Sequence, residues 1–401
     1  MKNIHFLIAL FLLISTFCYC ETPTKWRGGT DGVYIEEGLM KQWPAEGPEV
    51  LWAYEELGKG HSSPSFANDK IYITGMLDTI GNLFVLDQSG RLVYKIEYGT
   101  EWYKNFHGTR STPVVVGNLV YVYSGQGAII CIDDTKQEIK WSIDILKKYS
   151  AKNISWGVTE TPIVDGDIIY CTPGGEHTVV ALNRFTSEQV WTSKAKGDVS
   201  AYCTPRLIQL ENQKIIVSHT DSYIIAINAE TGKLLWTYDQ PNKWSVHANT
   251  PIYHDGSVYC FSGYGKGGVK ISIDENGNKT KVDWVDIKLD SRMGGVVLID
   301  GYLYGSGDKN RNWYCLDWET GAVQYENDTI GKGVVISDGE MLYCYSEKGE
   351  LALAKVNPKK FELISKTKVT MGTAQHWAHP VINNGRLFVR HGNALIAYKI
   401  K

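Results

Sequence analysis

The stretch Ala226-Ile-Asn-Ala-Glu-Thr-Gly-Lys-Leu-Leu-Trp236 predicts one β-strand, a tight turn and the next β-strand. Thr231-Gly232 supplies the turn, because glycine accepts a positive φ without a Cβ clash. The same frame, with a small residue first and an aromatic residue last, recurs at Cys131–Trp141, Ala181–Trp191 and Cys315–Tyr325. A small residue leaves room for a large ring of the neighbouring unit, so each ring can lock one unit against the next. This recurrence indicates a repeat protein.

The composition favours a large all-β protein and argues against nucleic-acid binding. The chain has 401 residues, a formal net charge of −3 and 43% hydrophobic residues, so it can bury a large core without attracting polyanions. Its 24 Tyr, 13 Trp and 40 Gly suit pleated strands joined by tight turns better than they suit helices.

Strand-turn-strand units follow one another along the chain, and most of them open with a proline. Six units begin at Pro64, Pro113, Pro162, Pro205, Pro251 and Pro380, and two more begin without proline at Gly294 and Gly333. Their spacing of about 45 residues is typical of four-stranded propeller blades. The sequence therefore predicts an all-β, eight-bladed β-propeller with four-stranded antiparallel blades.

The last unit is one strand short, and the N-terminal part of the chain contains a strand that could complete it. Residues 48–54 have the terminal aromatic residue of the frame and precede the first proline. Such a strand would pair an exposed edge and close the ring. We therefore expect a single propeller over residues 48–401, preceded by a segment, residues 21–47, that packs on one of its faces.

Residues 1–20 have the pattern of a removable secretory signal. Lys2 precedes the apolar run Phe6–Ile14, which is too short to span a bilayer comfortably. We therefore expect a monomeric protein exported to the periplasm or the cell surface. Lipid anchoring through Cys18 or Cys20 stays an alternative, although the bulky aromatic residue before each cysteine fits a lipobox poorly.

The other six cysteines are an even number in an oxidising compartment, so disulfides are one interpretation. They are Cys131, Cys171, Cys203, Cys260, Cys315 and Cys344. Most occupy equivalent strand positions in different units, which favours buried free thiols that act as small hydrophobic residues.

The candidate binding residues lie on one face of the predicted propeller, which we call the top face. This face carries the loops that lead into each innermost strand, called lead-in loops here, and the loops that join second to third strands. Turns rarely contain Trp and His, so their concentration here points to a ligand. We expect binding by His61, Trp102, His107, Arg110, Trp156, Glu160, Tyr202, Trp244, His247, Asn249, Arg292, His376, Trp377 and His379.

Aromatic planes with nearby Arg, His and Glu can stack on a carbohydrate, another small polar molecule or a side chain of a partner protein. In the alternative interpretation, the rings only cap the blades and backbone carbonyls satisfy the histidines. A metal site is not expected, because in an extended chain the side chains of His376 and His379 point to opposite sides. No catalytic residue is identified, and binding is favoured over catalysis.

The frame of Ala226–Trp236 resembles the tryptophan-docking motif of eight-bladed propellers with pyrroloquinoline quinone (PQQ) repeats. Trp26-Arg-Gly, Gly331-Lys-Gly, Met341–Glu347 and Trp377-Ala-His-Pro380 resemble exported bacterial propellers related to quinoprotein alcohol dehydrogenases or to the assembly lipoprotein BamB. The resemblance implies the propeller fold and two alternative functions. One is a PQQ- and calcium-dependent dehydrogenase of alcohols or sugars, and the other is an assembly factor with an envelope protein partner.

The sequence departs from those dehydrogenases at the quinone pocket. Their pocket typically carries two adjacent cysteines joined as a disulfide, and no two cysteines are adjacent in this chain. Their calcium ligands and catalytic aspartate do not align with particular positions either. A glycan-acting enzyme that uses histidines as acid and base is a further alternative.

Overall fold

The structure is a computed structural model that describes residues 23–29, 31–293 and 295–401. Its strands form eight four-stranded antiparallel sheets, which are the blades of a β-propeller. The predicted fold class is therefore confirmed. The predicted export signal, residues 1–20, lies outside the described residues.

Each blade is a run of four strands in chain order, except that the last blade takes its outer strand from the N-terminal part of the chain. The first strand is β1 (Val50–Tyr54). Blade 1 consists of β2 (Ser65–Ala67), β3 (Lys70–Leu77), β4 (Ile80–Asp87) and β5 (Leu92–Thr100), and blade 2 of β6 (Val114–Val116), β7 (Leu119–Tyr123), β8 (Ala128–Asp133) and β9 (Glu138–Asp144). Blade 3 consists of β10 (Ile163–Asp165), β11 (Ile168–Cys171), β12 (Val179–Asn183) and β13 (Gln189–Ser193), and blade 4 of β14 (Arg206–Gln209), β15 (Lys214–His219), β16 (Tyr223–Asn228) and β17 (Leu234–Asp239).

Blades 5 to 8 continue the same pattern. Blade 5 consists of β18 (Ile252–His254), β19 (Ser257–Ser262), β20 (Gly267–Ile273) and β21 (Lys279–Asp286), and blade 6 of β22 (Val296–Ile299), β23 (Tyr302–Ser306), β24 (Trp313–Asp317) and β25 (Val323–Asn327). Blade 7 consists of β26 (Gly333–Ser337), β27 (Met341–Ser346), β28 (Glu350–Lys355) and β29 (Glu362–Lys368). Blade 8 consists of β30 (Val381–Asn383), β31 (Arg386–His391) and β32 (Ala394–Lys399), together with β1. Helical structure among the described residues is confined to α1 (Ile145–Lys148) and a 3-10 turn (Trp26–Gly29).

The repeated frame forms the hairpin between the third and fourth strands of a blade. In blade 4, Ala226 of β16 lies directly opposite Trp236 of β17. The Asn228 side chain accepts hydrogen bonds from backbone amides in the turn, and Gly232 has a φ of +73°. A Cβ atom on Gly232 would lie 2.6 Å from the Trp191 ring of the preceding blade. Glycine is therefore required both by the turn and by the close approach of a neighbouring ring.

Each frame tryptophan binds the turn of the next blade through its indole N–H. The acceptors are backbone carbonyl oxygens at 2.7–3.2 Å, in the pairs Trp52 with Gln88, Trp141 with Arg184, Trp191 with Ala229, Trp236 with Gly277 and Trp284 with Trp318. A small residue lies opposite four of these rings, whereas Lys270 lies opposite Trp284. The small residue therefore accommodates the ring of its own unit, and that ring reaches across to the neighbouring blade. Each such bond contributes on the order of 1 kcal/mol to blade association.

The N-terminal strand closes the ring as the sequence predicts. Strand β1 pairs antiparallel with β32, and Trp52 lies opposite Ala397. The indole N–H of Trp52 donates to the Gln88 carbonyl in blade 1, so the closing blade is bound to its neighbour by the same contact as the other blades.

The described residues before Tyr34 run along the inner strands, instead of only covering one face. The carbonyl of Pro23 accepts a hydrogen bond from the amide of Phe66 in β2, and that of Thr24 accepts one from Val115 in β6. The amide of Tyr34 donates to Ser337 in β26 at 2.7 Å. We call residues 23–29 and 31–34 the channel segment, because they satisfy inner-strand backbone groups that face the propeller axis.

Residues 35–47 connect the channel segment to β1 across blades 7 and 8. Trp43 is 3% exposed and its ring centroid lies 6.2 Å from that of Tyr343. Its backbone amide donates to the Ser365 hydroxyl, and the amide of Met40 donates to the Ile400 carbonyl. These contacts anchor the chain before it enters the closing blade.

The hydrophobic core consists of apolar layers between neighbouring blades. Val217 and Ala226 of blade 4, for example, pack in one cluster with Val258 and Cys260 of blade 5. The six cysteines of the described residues are all buried and free. In the described part of the chain, no helix has the length and hydropathy that crossing a bilayer requires.

Candidate functional site

A cavity of about 260 Å³ opens on the top face. Seven of the eight lead-in loops contribute to it, together with one loop between second and third strands and the channel segment. Its lining consists of Trp26, His61, Phe106, Arg110, Trp156, Thr159, Tyr202, Thr204, Val246, Ala248, Tyr264, Arg292, Met293, Trp377 and His379.

Aromatic rings form most of the cavity wall. Trp377 contacts His61 and Phe106, with ring centroids 5.2 and 5.0 Å apart. On another part of the wall, the rings of Trp156 and Tyr202 lie 6.0 Å apart. Tilted rings at these distances leave flat faces on which a ring of a ligand can pack.

Three of these aromatic residues have left-handed backbone conformations. The φ angles of Phe106, Tyr202 and Tyr264 are +52°, +73° and +62°. Bulky side chains rarely adopt this region, which costs roughly 1–2 kcal/mol for each residue. Backbone strain of this kind concentrates at functional sites, where it fixes the direction of a side chain.

His379 joins the cavity to the channel segment. Its Nδ1 accepts a hydrogen bond from Arg27 at 2.9 Å, so its Nε2 carries the hydrogen and donates to the Met293 carbonyl at 2.6 Å. Burial and the Arg27 charge lower the pKa of His379 to about 3. Its ring centroid lies 4.5 Å from that of Trp26. The imidazole is therefore neutral at pH 7 and contributes packing and fixed hydrogen bonds.

His61 is the second histidine of the lining, and neither of its ring nitrogens has a hydrogen-bond partner. Burial, and to a smaller extent the nearby charges of Arg110 and Arg390, together lower its pKa to about 3. His61 is therefore also neutral at pH 7, and because both of its ring nitrogens are buried, it contributes its ring to the packing of the wall.

The two arginines of the lining have different surroundings. Arg110 donates hydrogen bonds to the carbonyls of Gly108 and Phe106 at 2.7 and 2.6 Å. Arg292 instead forms ion pairs with Glu347 at 2.6 Å and Asp308 at 3.5 Å. The lining itself contains both guanidinium groups and no carboxylate.

A family model described as outer membrane protein assembly factor BamB matches residues 36–147 and 81–327 of the chain. The overlapping matches together cover residues 36–327, which is more than half of the chain. The chain belongs to this family. The BamB family match starts ahead of β1 and extends to the end of β25 in blade 6.

Curated relatives match parts of the chain. Tetrathionate hydrolase of Acidithiobacillus ferrooxidans is 22% identical over 230 residues, which cover 54% of this chain and 44% of that protein. Outer membrane protein assembly factor BamB of Burkholderia pseudomallei is 28% identical over 162 residues, which cover 39% of this chain and 38% of that protein. The chain thus spans less than half of the length of these two relatives.

Solved structures of low sequence identity share the fold. A quinohemoprotein alcohol dehydrogenase from Comamonas testosteroni has a TM-score of 0.69 and 11% identity, covering 95% of this chain and 80% of that chain. BamB from Moraxella catarrhalis has a TM-score of 0.58 and 13% identity, covering 85% of this chain and 94% of that chain. These likenesses show that the propeller fold is shared.

The cavity does not fit the PQQ and calcium pair that the resemblance to quinoproteins implies. Calcium takes six to eight oxygen ligands, mostly from carboxylates, amides and backbone carbonyls. The cavity lining contains no Asp, Glu, Asn or Gln side chain. Over residues 23–29, 31–293 and 295–401, no group of three or more His, Cys, Asp and Glu side chains could hold a metal ion.

The structure brings half of the predicted binding residues together in the cavity. These are His61, Arg110, Trp156, Tyr202, Arg292, Trp377 and His379. Three others lie nearby without lining it. Trp102 is buried and its ring lies 5.9 Å from the Arg110 guanidinium, His107 is exposed and contacts the Tyr103 carbonyl, and Trp244 is 50% exposed on the surface.

The remaining four predicted residues lie beside the cavity, three of them buried and His376 half-buried. Glu160 is 1% exposed and accepts hydrogen bonds from Thr172. The ring of His247 stacks on His219, and Asn249 donates to the Phe261 and Ser291 carbonyls. The His376 ring stacks on His391, with centroids 3.6 Å apart. These residues support the lead-in loops from behind.

Sequence reasoning missed eight residues of the lining. They are Trp26, Phe106, Thr159, Thr204, Val246, Ala248, Tyr264 and Met293. Phe106 lies within a loop that already contained candidates, and its aromatic side chain could have marked it. Trp26 precedes the propeller in sequence, and its local sequence carries no signal for a position in the cavity.

Proposed function

We propose that the protein is an exported binding propeller whose top-face cavity takes a small ring compound, such as a carbohydrate or another small polar molecule. Export is supported by the signal-like sequence of residues 1–20 and by the family match. The ligand is held without covalent chemistry, between aromatic side chains and hydrogen-bonding groups of the lead-in loops.

The observation that carries this proposal is the aromatic lining of the cavity. Three of its rings belong to residues in a conformation that bulky side chains seldom adopt, namely Phe106, Tyr202 and Tyr264. Core packing does not call for the conformation of Phe106, because this residue remains 45% exposed. Rings fixed at an open cavity are the usual means of orienting a flat ligand.

The test is calorimetry on protein without residues 1–20, preceded by a thermal-shift screen of sugars, sugar acids and small aromatic compounds. Trp377→Ala should weaken the binding of any ligand found by at least about tenfold, because it removes the ring that packs on His61 and Phe106. Trp244→Ala removes an exposed ring outside the cavity and serves as the matched control. Equal effects of both substitutions, or no ligand in the screen, would reject the proposal.

A second candidate function, contact with an envelope protein, is supported by the family match. The relative from Burkholderia pseudomallei is named an outer membrane protein assembly factor. In blade 5, Val285 and Ile287 are 60% and 67% exposed and could contribute to such a contact. A photocrosslinking residue at Val285 should capture one defined outer-membrane protein in cells, and the same residue at the exposed Lys136 of blade 2 should not. Crosslinks of similar yield from both positions, or from neither, would reject this candidate.

A further inference from the structure

The two arginines of the cavity lining lie on opposite sides of the ring of blades. Arg110 lies in the loop that leads into blade 2, and Arg292 lies in the loop that leads into blade 6. Four of eight blades separate them, so the two guanidinium groups approach the cavity from opposite sides. The difference in their partners therefore gives the cavity two electrostatically different walls.

The charge of Arg292 is compensated within the protein. It pairs with Glu347 and Asp308, and Lys332 pairs with the same two carboxylates. Two cations and two anions thus form a closed network at this wall. A ligand gains little from adding a further negative charge there.

Arg110 forms no such ion pair among the described residues. Its hydrogen bonds go to backbone carbonyls, and the carboxylate whose charge acts on it is that of Glu101. The oxygens of Glu101 already accept hydrogen bonds from the Trp102 amide at 2.8 Å and the Tyr98 hydroxyl at 2.9 Å. Burial raises the pKa of Glu101 to about 7, so its negative charge is only partial at neutral pH.

Arg390 strengthens the positive potential behind the same wall. Its side chain is fully buried, and it donates to the Ser62 hydroxyl at 2.5 Å and the Thr74 carbonyl at 2.7 Å. Its Nη2 has no hydrogen-bond partner, and within the described chain no carboxylate pairs with it. A buried cation without a counter-ion is costly, and an anion bound nearby would lower that cost.

From these contacts we infer that the ligand carries an oxyanion such as a carboxylate, and that Arg110 binds this group at the wall formed by His61, Arg110 and Trp377. The guanidinium fork suits a carboxylate geometrically, and the bond is charge-assisted in a partly buried site. The ring of the ligand then packs on Trp377 and Phe106. This inference rests on the proposed function and names the charged group of the ligand.

The experiment compares acids with their uncharged amides as probes. The probes are 2-naphthoate with 2-naphthamide and glucuronate with glucuronamide, measured by calorimetry against the unmodified protein, Arg110→Gln and Arg292→Gln. The unmodified protein should bind at least one acid about tenfold or more tightly than its amide. Arg110→Gln should bring this ratio close to one, and Arg292→Gln should leave it within about threefold.

A further variant keeps the test valid if Arg110→Gln folds poorly. Arg110→Lys retains the charge but loses the fork, so its acid-to-amide ratio should fall below that of the unmodified protein and stay above one. Equal binding of acids and amides, or a ratio that only Arg292→Gln abolishes, would overturn the inference while leaving the proposed function in place. Failure of all four probes to bind would also overturn the inference, whereas the proposed function fails only if the wider thermal-shift screen finds no ligand either.

Discussion

Replacing Glu160 by glutamine should stabilise the protein in mild alkali relative to mild acid. Glu160 is 1% exposed, and its Oε2 accepts hydrogen bonds from the amide and the hydroxyl of Thr172 at 3.1 and 2.5 Å. Its Oε1 has no partner. Burial raises the pKa of this carboxyl from the ordinary 4.5 to about 8, so the group is mostly protonated at pH 7. Glutamine has nearly the shape of that neutral form.

The size of the effect follows from proton linkage. Because the pKa is higher in the folded state than in the unfolded state, the folded protein holds a proton that the unfolded chain releases above pH 4.5. The free energy of unfolding therefore falls by about 1.4 kcal/mol for each pH unit up to the folded pKa and then levels off. Between pH 6 and pH 9 the unmodified protein should lose about 2.5 kcal/mol from Glu160, and the glutamine variant should not.

The assay is urea unfolding at pH 6 and pH 9, followed by tryptophan fluorescence. The quantity to compare is the difference in unfolding free energy between variant and unmodified protein, because any pH-independent effect of the amide cancels. Glu176→Gln is the matched control, since Glu176 lies in the same blade and forms only an exposed ion pair with Lys194. An equal difference at both pH values would show that Glu160 is ionised throughout, and the linkage argument would then be wrong.

Three further predictions concern the ring, the channel segment and the thiols. The Trp236 side chain is 8% exposed, and its indole N–H donates to the Gly277 carbonyl at 2.7 Å. Trp236→Phe removes this hydrogen bond, so the free energy of unfolding should fall by about 2 kcal/mol. Trp244→Phe, at an exposed ring, should change the free energy of unfolding by less than about 0.5 kcal/mol. Arg27→Met removes the bonds to His379 and to the Val296 carbonyl, so trypsin should cut the native variant after Lys25 while sparing the unmodified protein, as mass spectrometry would show. In protein without residues 1–20, a thiol reagent should modify none of the six cysteines before unfolding and all of them afterwards, because all are buried and free.

The fold was predictable because its determinants are local and repeated. The frame from Ala226 to Trp236 contains the strand, the turn and the tryptophan ring that binds the next blade. Each copy of the frame therefore predicts the same local structure by itself. Ring closure followed from counting strands, because the last unit lacks one and Trp52 carries the missing ring. What escaped prediction was the channel segment, whose contacts are largely backbone hydrogen bonds that require no sequence pattern.

The sequence predicted which loops surround the cavity, but it did not predict which residues of those loops line it. Thr159 lines the cavity, whereas its neighbour Glu160 is buried behind the wall. Trp377 and His376 differ in the same way, since only the tryptophan lines the cavity. Adjacent residues in extended chain point to opposite sides, so membership of a lead-in loop does not decide which of two neighbours meets a ligand. That choice depends on contacts with other blades, such as the stacking of His376 on His391.

The pairing of β1 with β32 also fixes when the ring can close during synthesis. Trp377 packs on His61, and these two residues are far apart in the sequence. A nascent chain that lacks its final strands leaves β1 without its partner and the cavity without one wall. The ring can therefore close only after β32 has been synthesised, and a product terminated before β32 would expose unpaired strand edges for recognition by chaperones and proteases.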